Sequence, residues 1–195
     1  MQSIKTIYKI GPGPSSSHTF GPMMASKYIN EQYPEATNFK ITLFGSLALT
    51  GKGHLTDKII LKTLGTSKCE IIFDMKTPVE HPNTMIIEVF DKDTKIAKHT
   101  FVSIGGGKIE IDGKKGNVDP EIYPHTKMDD IQVYCNERHL RLDQYIDEVE
   151  DSDFDSYMNQ ISKQMLKTVN TGLKKTGVLP GSLKIDRVAH ALHQS

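Results

Sequence analysis

Two short stretches concentrate the residue types that do chemistry. GPGPSSSHTFGP, Gly11 to Pro22, sets three serine hydroxyls, an imidazole and a threonine hydroxyl in one run: Ser15, Ser16, Ser17, His18 and Thr19. GSLALTGKGHLTDK, Gly45 to Lys58, gathers Lys52, His54, Thr56 and Asp57 around two glycines at the expected start of a helix. Hydroxyls donate hydrogen bonds to anions and histidine titrates near neutrality, so the first stretch suits a small carboxylate or phosphate. Backbone N–H groups ahead of a helix point toward one spot and add positive potential there. In the second stretch His54 suits a general acid or base, with Asp57 or Thr56 to orient it. Each stretch also has a plainer reading. The first is an N-cap box with Pro22 in the opening helical turn, and the second a polar turn capped at Thr56. Spacing alone leaves both readings open. GKGH is no nucleotide phosphate loop, because the four-residue spacer and the GK[ST] ending are missing.

Two weaker signals follow. SIGGG, Ser103 to Gly107, places three glycines after a strand, where a bare backbone can approach a ligand or a packed neighbour. EHPNTM carries His81 and Asn83 in a proline turn, and Asn83 alone reads as a turn residue. Cys135 reads as a small buried hydrophobe. The methionines near 158 and 165 read as core.

The elements that must position these residues are legible from periodicity. MMASKYINEQY is compatible with a helix turning Met24, Tyr28, Ile29 and Tyr33 inward, closed by Pro34. NFKITLFGSLAL begins as an alternating strand that Gly45 interrupts, TGKGH is a turn, and LTDKIILKTLG is a helix ending at Gly65. CEIIFDM is a strand, TPVEHPN a loop, and TMIIEVFD and KIAKHTFVSIGGG a hairpin across DKDTK. KIEIDGKKGNVDPEIYPHT is turn-rich. NERHLRLDQYIDEVE is helical in pattern. The clearest helix follows, with Phe154, Tyr157, Met158, Ile161, Met165, Val169 and Leu173 on one stripe, Asp151 or Ser152 as its cap and Gly177 at its end. This order predicts an α+β fold, a mixed sheet with packed helices and a helical C-terminal appendage.

The 195 residues suffice for a domain with a proper core, 37% of them hydrophobic and 25% charged. Lys+Arg and Asp+Glu both number 24, which argues against a general nucleic-acid binder. Cys69 and Cys135 match no metal-ligand spacing, and so few cysteines fit a reducing cytoplasm better than a disulfide framework. The first residues lack the apolar run of a signal peptide, and no segment approaches the ~20 apolar residues of a membrane span.

Taken together and in order, KIGPGPSSSHTFGPM, GSLALTGKGHLTD, SIGGG, YCNE and GVLPGSLKIDR resemble the iron–sulfur-dependent L-serine dehydratases (L-serine ammonia-lyases) of bacteria. The resemblance runs from about Ile4 to the last residue. It implies a β domain over 1–150, similar to the allosteric substrate-binding domain of phosphoglycerate dehydrogenases, and over 151–195 a helical linker with the start of the cluster-binding α domain. It implies deamination of L-serine to pyruvate and ammonia, without pyridoxal phosphate. The cubane cluster would act as a Lewis acid on the substrate hydroxyl, its ligands lying in the α domain rather than in this chain. By the same resemblance Ser15, Ser16, Ser17, Thr19, Gly105 and Gly106 would bind substrate. His18 would lie beside the serines and Thr19, and His54 would be the base, supported by Thr56 and Asp57. The α domain and a second copy of the chain are the expected partners, with no nucleic acid and no membrane, in the cytoplasm. The rival expectation is a regulatory module that binds a small carboxylate without chemistry.

Overall fold

A computed structural model describes residues 1–116, 119–179 and 184–195. The chain forms two compact units, one centred on Gly11–Gly116 and the other built from Met1–Ile10 with the described residues of 119–178 and 186–195.

In the first unit a wide helical turn, Ser16–Phe20, leads directly into α1, Gly21–Gln32. Strand β1, Asn38–Phe44, is followed by α2, Gly45–Thr50, and α3, Thr56–Leu64. Strands β2, Cys69–Asp74, β3, Thr84–Asp91, β4, Thr94–Gly105, β5, Lys108–Ile111, and β6, Lys114–Lys115, complete a six-stranded sheet of order β2-β1-β3-β4-β5-β6. Only β1 and β2 run parallel, because α2 and α3 carry the chain back between them, and the remaining pairs are antiparallel. Alternation sets the core. Phe39, Ile41 and Leu43 of β1 and Met85, Ile87 and Val89 of β3 are buried together with Ala25, Ile29, Leu47 and Ile60 of the helices. The α+β reading holds.

One expected strand extension is a helix instead. SLAL has the apolar content of a continuing strand, but Gly45 turns the chain at φ +50° and Ser46 donates its N–H to the Pro82 carbonyl at 2.7 Å. A Cβ at position 45 would stand 2.7 Å from that carbonyl oxygen, so glycine is required where the strand ends. The turn-rich KIEIDG segment, in turn, supplies strand β5.

The second unit contains α4, Met128–Arg138, α5, Leu142–Val149, α6, Phe154–Lys174, and α7, Ala189–Gln194. NERHLRLDQYIDEVE is not one helix: His139 is left-handed at φ +56°, and Arg141 restarts the chain by donating its N–H to Gln144 Oε1 at 2.9 Å. Tyr123, Ile131, Cys135 and Tyr145 form the core, which bears out the reading of Cys135. Buried Glu150 holds the N-terminal residues, accepting from Ser3 Oγ at 2.6 Å, Ile4 N–H at 2.8 Å and Tyr123 Oη at 2.7 Å. Helix α6 has the expected amphipathic stripe, but only Ile161 is buried, while Met165 and Val169 are each 57% exposed. The methionine stripe is therefore not core in this chain. Neither Asp151 nor Ser152 caps α6. Its N-cap is Asp153, without a side-chain bond, and the Asp151 and Asp153 carboxylates both take the Lys5 ammonium, whose pKa is pushed up to about 12. The helix ends at Lys174, three residues before Gly177. Of the GVLPGSLKIDR phrase, residues 180–183 lie outside the described residues.

Candidate functional site

The two chemistry-bearing stretches meet in the first unit. The His18 and His54 rings lie 4.8 Å apart, tilted by 42°. Their backbones are strapped together by two buried threonines: Thr19 Oγ1 donates to the His54 carbonyl at 2.8 Å, and Thr56 Oγ1 donates to the His18 carbonyl. Thr19 is 2% exposed and Thr56 fully buried, so each hydroxyl needs a partner inside the fold, and each finds it on the opposite histidine's backbone. This reciprocal strap fixes the spacing of the two imidazoles.

The serines close around His18. Ser15 caps the helical turn, its Oγ accepting from the His18 N–H at 3.1 Å, so the capping reading of this stretch is realised. Ser17 Oγ lies 2.9 Å from His18 Nδ1 and 3.4 Å from Ser15 Oγ. Ser16 is exposed. On the other side of the ring His18 Nε2 lies 2.9 Å from Ser46 Oγ. Burial lowers the His18 pKa and the neighbouring His54 lowers it further, which favours the neutral imidazole.

His54 is only half-buried. Its Nδ1 is 3.1 Å from the Thr50 carbonyl, and a carbonyl only accepts. Nδ1 therefore carries the hydrogen in the neutral ring, and Nε2 keeps the basic lone pair. The group that orients His54 is thus the last residue of α2. Asp57 accepts the Lys58 N–H at 2.9 Å, and Thr56 serves the His18 carbonyl. Lys52 lies over the Phe73 ring, 5.0 Å from its centre.

The triple glycine forms the turn between β4 and β5. Gly105 and Gly106 have φ of +95° and +58°, with open space where a Cβ would stand. Gly107 differs. A Cβ there would lie 2.2 Å from the Phe20 ring, and one at Gly11 would lie 2.0 Å from it, so these two glycines seat Phe20 and with it the turn that carries His18. Asn83 donates its side-chain N–H to the Ser103 carbonyl at 3.3 Å, and His81 Nδ1 accepts the Asn83 N–H at 3.1 Å, which ties the proline turn to β4.

Ser46 is the contact residue that sequence reasoning missed. SLAL read as strand, and nothing in that pattern points a serine at a histidine 28 positions earlier. The left-handed Gly45 was the available signal.

Neither thiol fits as a ligand of an iron–sulfur cluster. Cys69 sits on β2, where burial pushes its pKa up to about 11, and Cys135 is packed in the second unit's core. Among the described residues no group of three or more His, Cys, Asp and Glu side chains is placed to hold a metal ion, and no helix is long and apolar enough to cross a membrane.

Residues 3–72 match the family described as serine dehydratase beta chain. Over its whole length the chain is 30% identical to L-serine dehydratase 2 of Escherichia coli (strain K12) and 28% identical to L-serine dehydratase of Haemophilus influenzae, covering 54% of each. It is also 30% identical, over 97% of its length, to L-serine dehydratase of Helicobacter pylori (strain 26695), covering 53% of that protein. The chain thus spans about half the length of these relatives.

Proposed function

We propose that this chain supplies substrate-binding and acid–base groups for the elimination of water from L-serine, the reaction that ends in pyruvate and ammonia. The observation that carries the reading is the histidine pair. One imidazole is enclosed by hydroxyls, where burial and its neighbour favour the neutral form, and the other is half-buried with its Nε2 lone pair free of the backbone. In this reading His54 Nε2 takes the α-proton. The hydroxyls of Ser15, Ser17 and Ser46 and the His18 ring bind and orient the amino acid, and Thr19 and Thr56 act through the spacing they impose. Loss of the proton and of the β-hydroxyl gives aminoacrylate and water, and aminoacrylate tautomerises to an imine that hydrolyses. A carbon acid this weak needs the developing charge stabilised, which is work for the donors around the site. The iron–sulfur cluster implied by the resemblance would take its ligands from sequence outside this chain. A homodimer and a cytoplasmic location go with the same reading.

The test is pyruvate release from L-serine by the protein that carries this chain. His54→Ala is expected to lower kcat by about 10²–10⁴-fold, the usual worth of a positioned base, with a smaller change in KM. Unchanged turnover removes His54 from the role of base. Tight L-serine binding with no turnover in the wild-type protein would favour the carboxylate-binding regulatory module.

A further inference from the structure

Ser46 has a closer role than that of one hydroxyl among several. We propose that Ser46 is a positioning residue that fixes His18 as its Nε2–H tautomer and thereby turns its own hydroxyl hydrogen outward, to a carboxylate oxygen of the bound amino acid. The argument is a count of hydrogens. Ser15 Oγ accepts the His18 N–H at 3.1 Å, which leaves its own hydrogen available to the next oxygen, Ser17 Oγ at 3.4 Å, the order the proposal adopts. Ser17 then donates to His18 Nδ1 at 2.9 Å. With Nδ1 accepting, the ring hydrogen sits on Nε2 and is donated to Ser46 Oγ at 2.9 Å. Every oxygen in this chain of bonds accepts one hydrogen and donates one, and the last donor, Ser46, has no further acceptor among the described contacts. The reverse order would use both lone pairs of Ser15 Oγ and turn its own hydrogen to solvent, out of the chain of bonds.

The backbone holds Ser46 at both ends. Its N–H is donated to the Pro82 carbonyl, and its carbonyl accepts from Thr50 Oγ1 at 2.9 Å. Thr50 in turn presents its own carbonyl to His54 Nδ1. The six residues of α2 therefore hold both imidazoles, His18 from the first turn and His54 from the last residue. A substitution at Ser46 is expected to act on the ring of His18 rather than on the fold.

The proposal rests on the serine reading only for the identity of the outer acceptor. It is tested on the full chain labelled with ¹⁵N-histidine, by long-range ¹H–¹⁵N correlation above pH 7.5, with His18 assigned through His18→Gln. The expected wild-type spectrum shows His18 as the Nε2–H form. In Ser46→Ala the Nε2–H loses its protein acceptor, whereas an Nδ1–H still has Ser17 Oγ at 2.9 Å, so the tautomer ratio is expected to shift toward Nδ1–H by about tenfold or more. Ser46→Thr, which keeps a hydroxyl, restores the wild-type pattern. An Nδ1–H form in the wild-type chain, or an unchanged tautomer in Ser46→Ala, overturns the assignment. If Ser46→Ala fails to fold, the wild-type spectrum alone decides. L-serine, added as the probe, is expected to shift the His18 and His54 signals. An Nε2–H wild-type spectrum that L-serine leaves unmoved would keep the tautomer and sink the serine reading with its outer acceptor.

Discussion

Two imidazoles in the sheet-bearing unit are gripped at both ring nitrogens, and the grips differ in kind. His99 on β4 has Nδ1 2.7 Å from the Asp112 carboxylate and Nε2 2.7 Å from Tyr33 Oη, with the Tyr28, Tyr33 and Phe101 rings around it. An ionised carboxylate only accepts, so Nδ1 carries a hydrogen, and in the neutral ring Tyr33 donates to Nε2. Asp112 is itself held, because its Oδ1 accepts the Thr100 N–H at 2.8 Å. His18 has no charged partner, only hydroxyls that can each turn round. A carboxylate pins a hydrogen to the ring nitrogen that faces it and makes the imidazole a clasp between strand and helix. Hydroxyls leave the state to be set by the rest of a hydrogen-bond chain, which is what a site that meets a ligand needs.

The largest expected effect separates the two grips by moving one of them. Gly107→Ala would put a Cβ 2.2 Å from the Phe20 ring, at φ +73°, and Phe20 ends the turn that carries His18. The expected loss is about 3 kcal/mol or more, from left-handed strain and a displaced ring together. Urea unfolding measures it, and histidine NMR should show His18 shifted and His99 in place. Gly106→Ala, with φ +58° and open space, is expected to cost only the strain, about 1–2 kcal/mol. Equal losses at the two positions would mean that Phe20 is not seated by Gly107.

A smaller contrast is expected from removing the rings themselves. His99→Ala takes an imidazole out of an aromatic cluster and leaves Tyr33 and Asp112 unpaired, an expected loss of about 2–3 kcal/mol. His18→Ala leaves Ser17 and Ser46, both half-exposed hydroxyls that water can satisfy, and about 1 kcal/mol is expected. If His18→Ala proves the more destabilising in urea, His18 belongs to the fold more than to the site.

What could be read from the sequence divides along the same line. Local period places β1, β2, β3 and β4 and helices α1, α3 and α6, but not β5 or β6, and the SSSHT and GKGHLTD phrases stand out from residue type alone. The meeting of those phrases was not legible, since the strap pairs Thr19 with His54 and Thr56 with His18 across a sheet crossover. His99 has no local signature because its partners stand 13 and 66 residues away, and only the β4–β5 hairpin and the end of α1 bring them to it. The SLAL helix was lost because its cause is tertiary, a carbonyl of Pro82 against Gly45 and Ser46. The exposure of Met165 and Val169 was equally out of reach, because a stripe records that a helix has an apolar face and not what covers it.

The smallest expected effect distinguishes the two grips by pH. Burial and His54 depress the His18 pKa, so the unfolded chain binds a proton there before the folded one does. Stability from this group is complete above the ordinary histidine value, about 6.5, and declines as pH falls below it. Asp112 behaves as a depressed carboxylate. Burial pushes its pKa up, but the bonds from Thr100 and His99 outweigh burial and bring it below the usual range. Its contribution is present above the ordinary aspartate value, about 3.9, and is lost only as pH falls through the lower folded value. Acid should therefore weaken the sheet-bearing unit in two stages. His18→Gln should flatten the stability profile just below pH 6.5 and leave the limb below pH 4 intact, while Asp112→Asn should do the reverse. Each effect is expected to stay under about 1 kcal/mol, since each variant removes a single group from its window and Asp112 is partly exposed. Urea midpoints taken in half-unit pH steps resolve it, and a His18→Gln profile that keeps the upper slope would show that the hydroxyl-held imidazole is fixed in one state as firmly as the one held by charge.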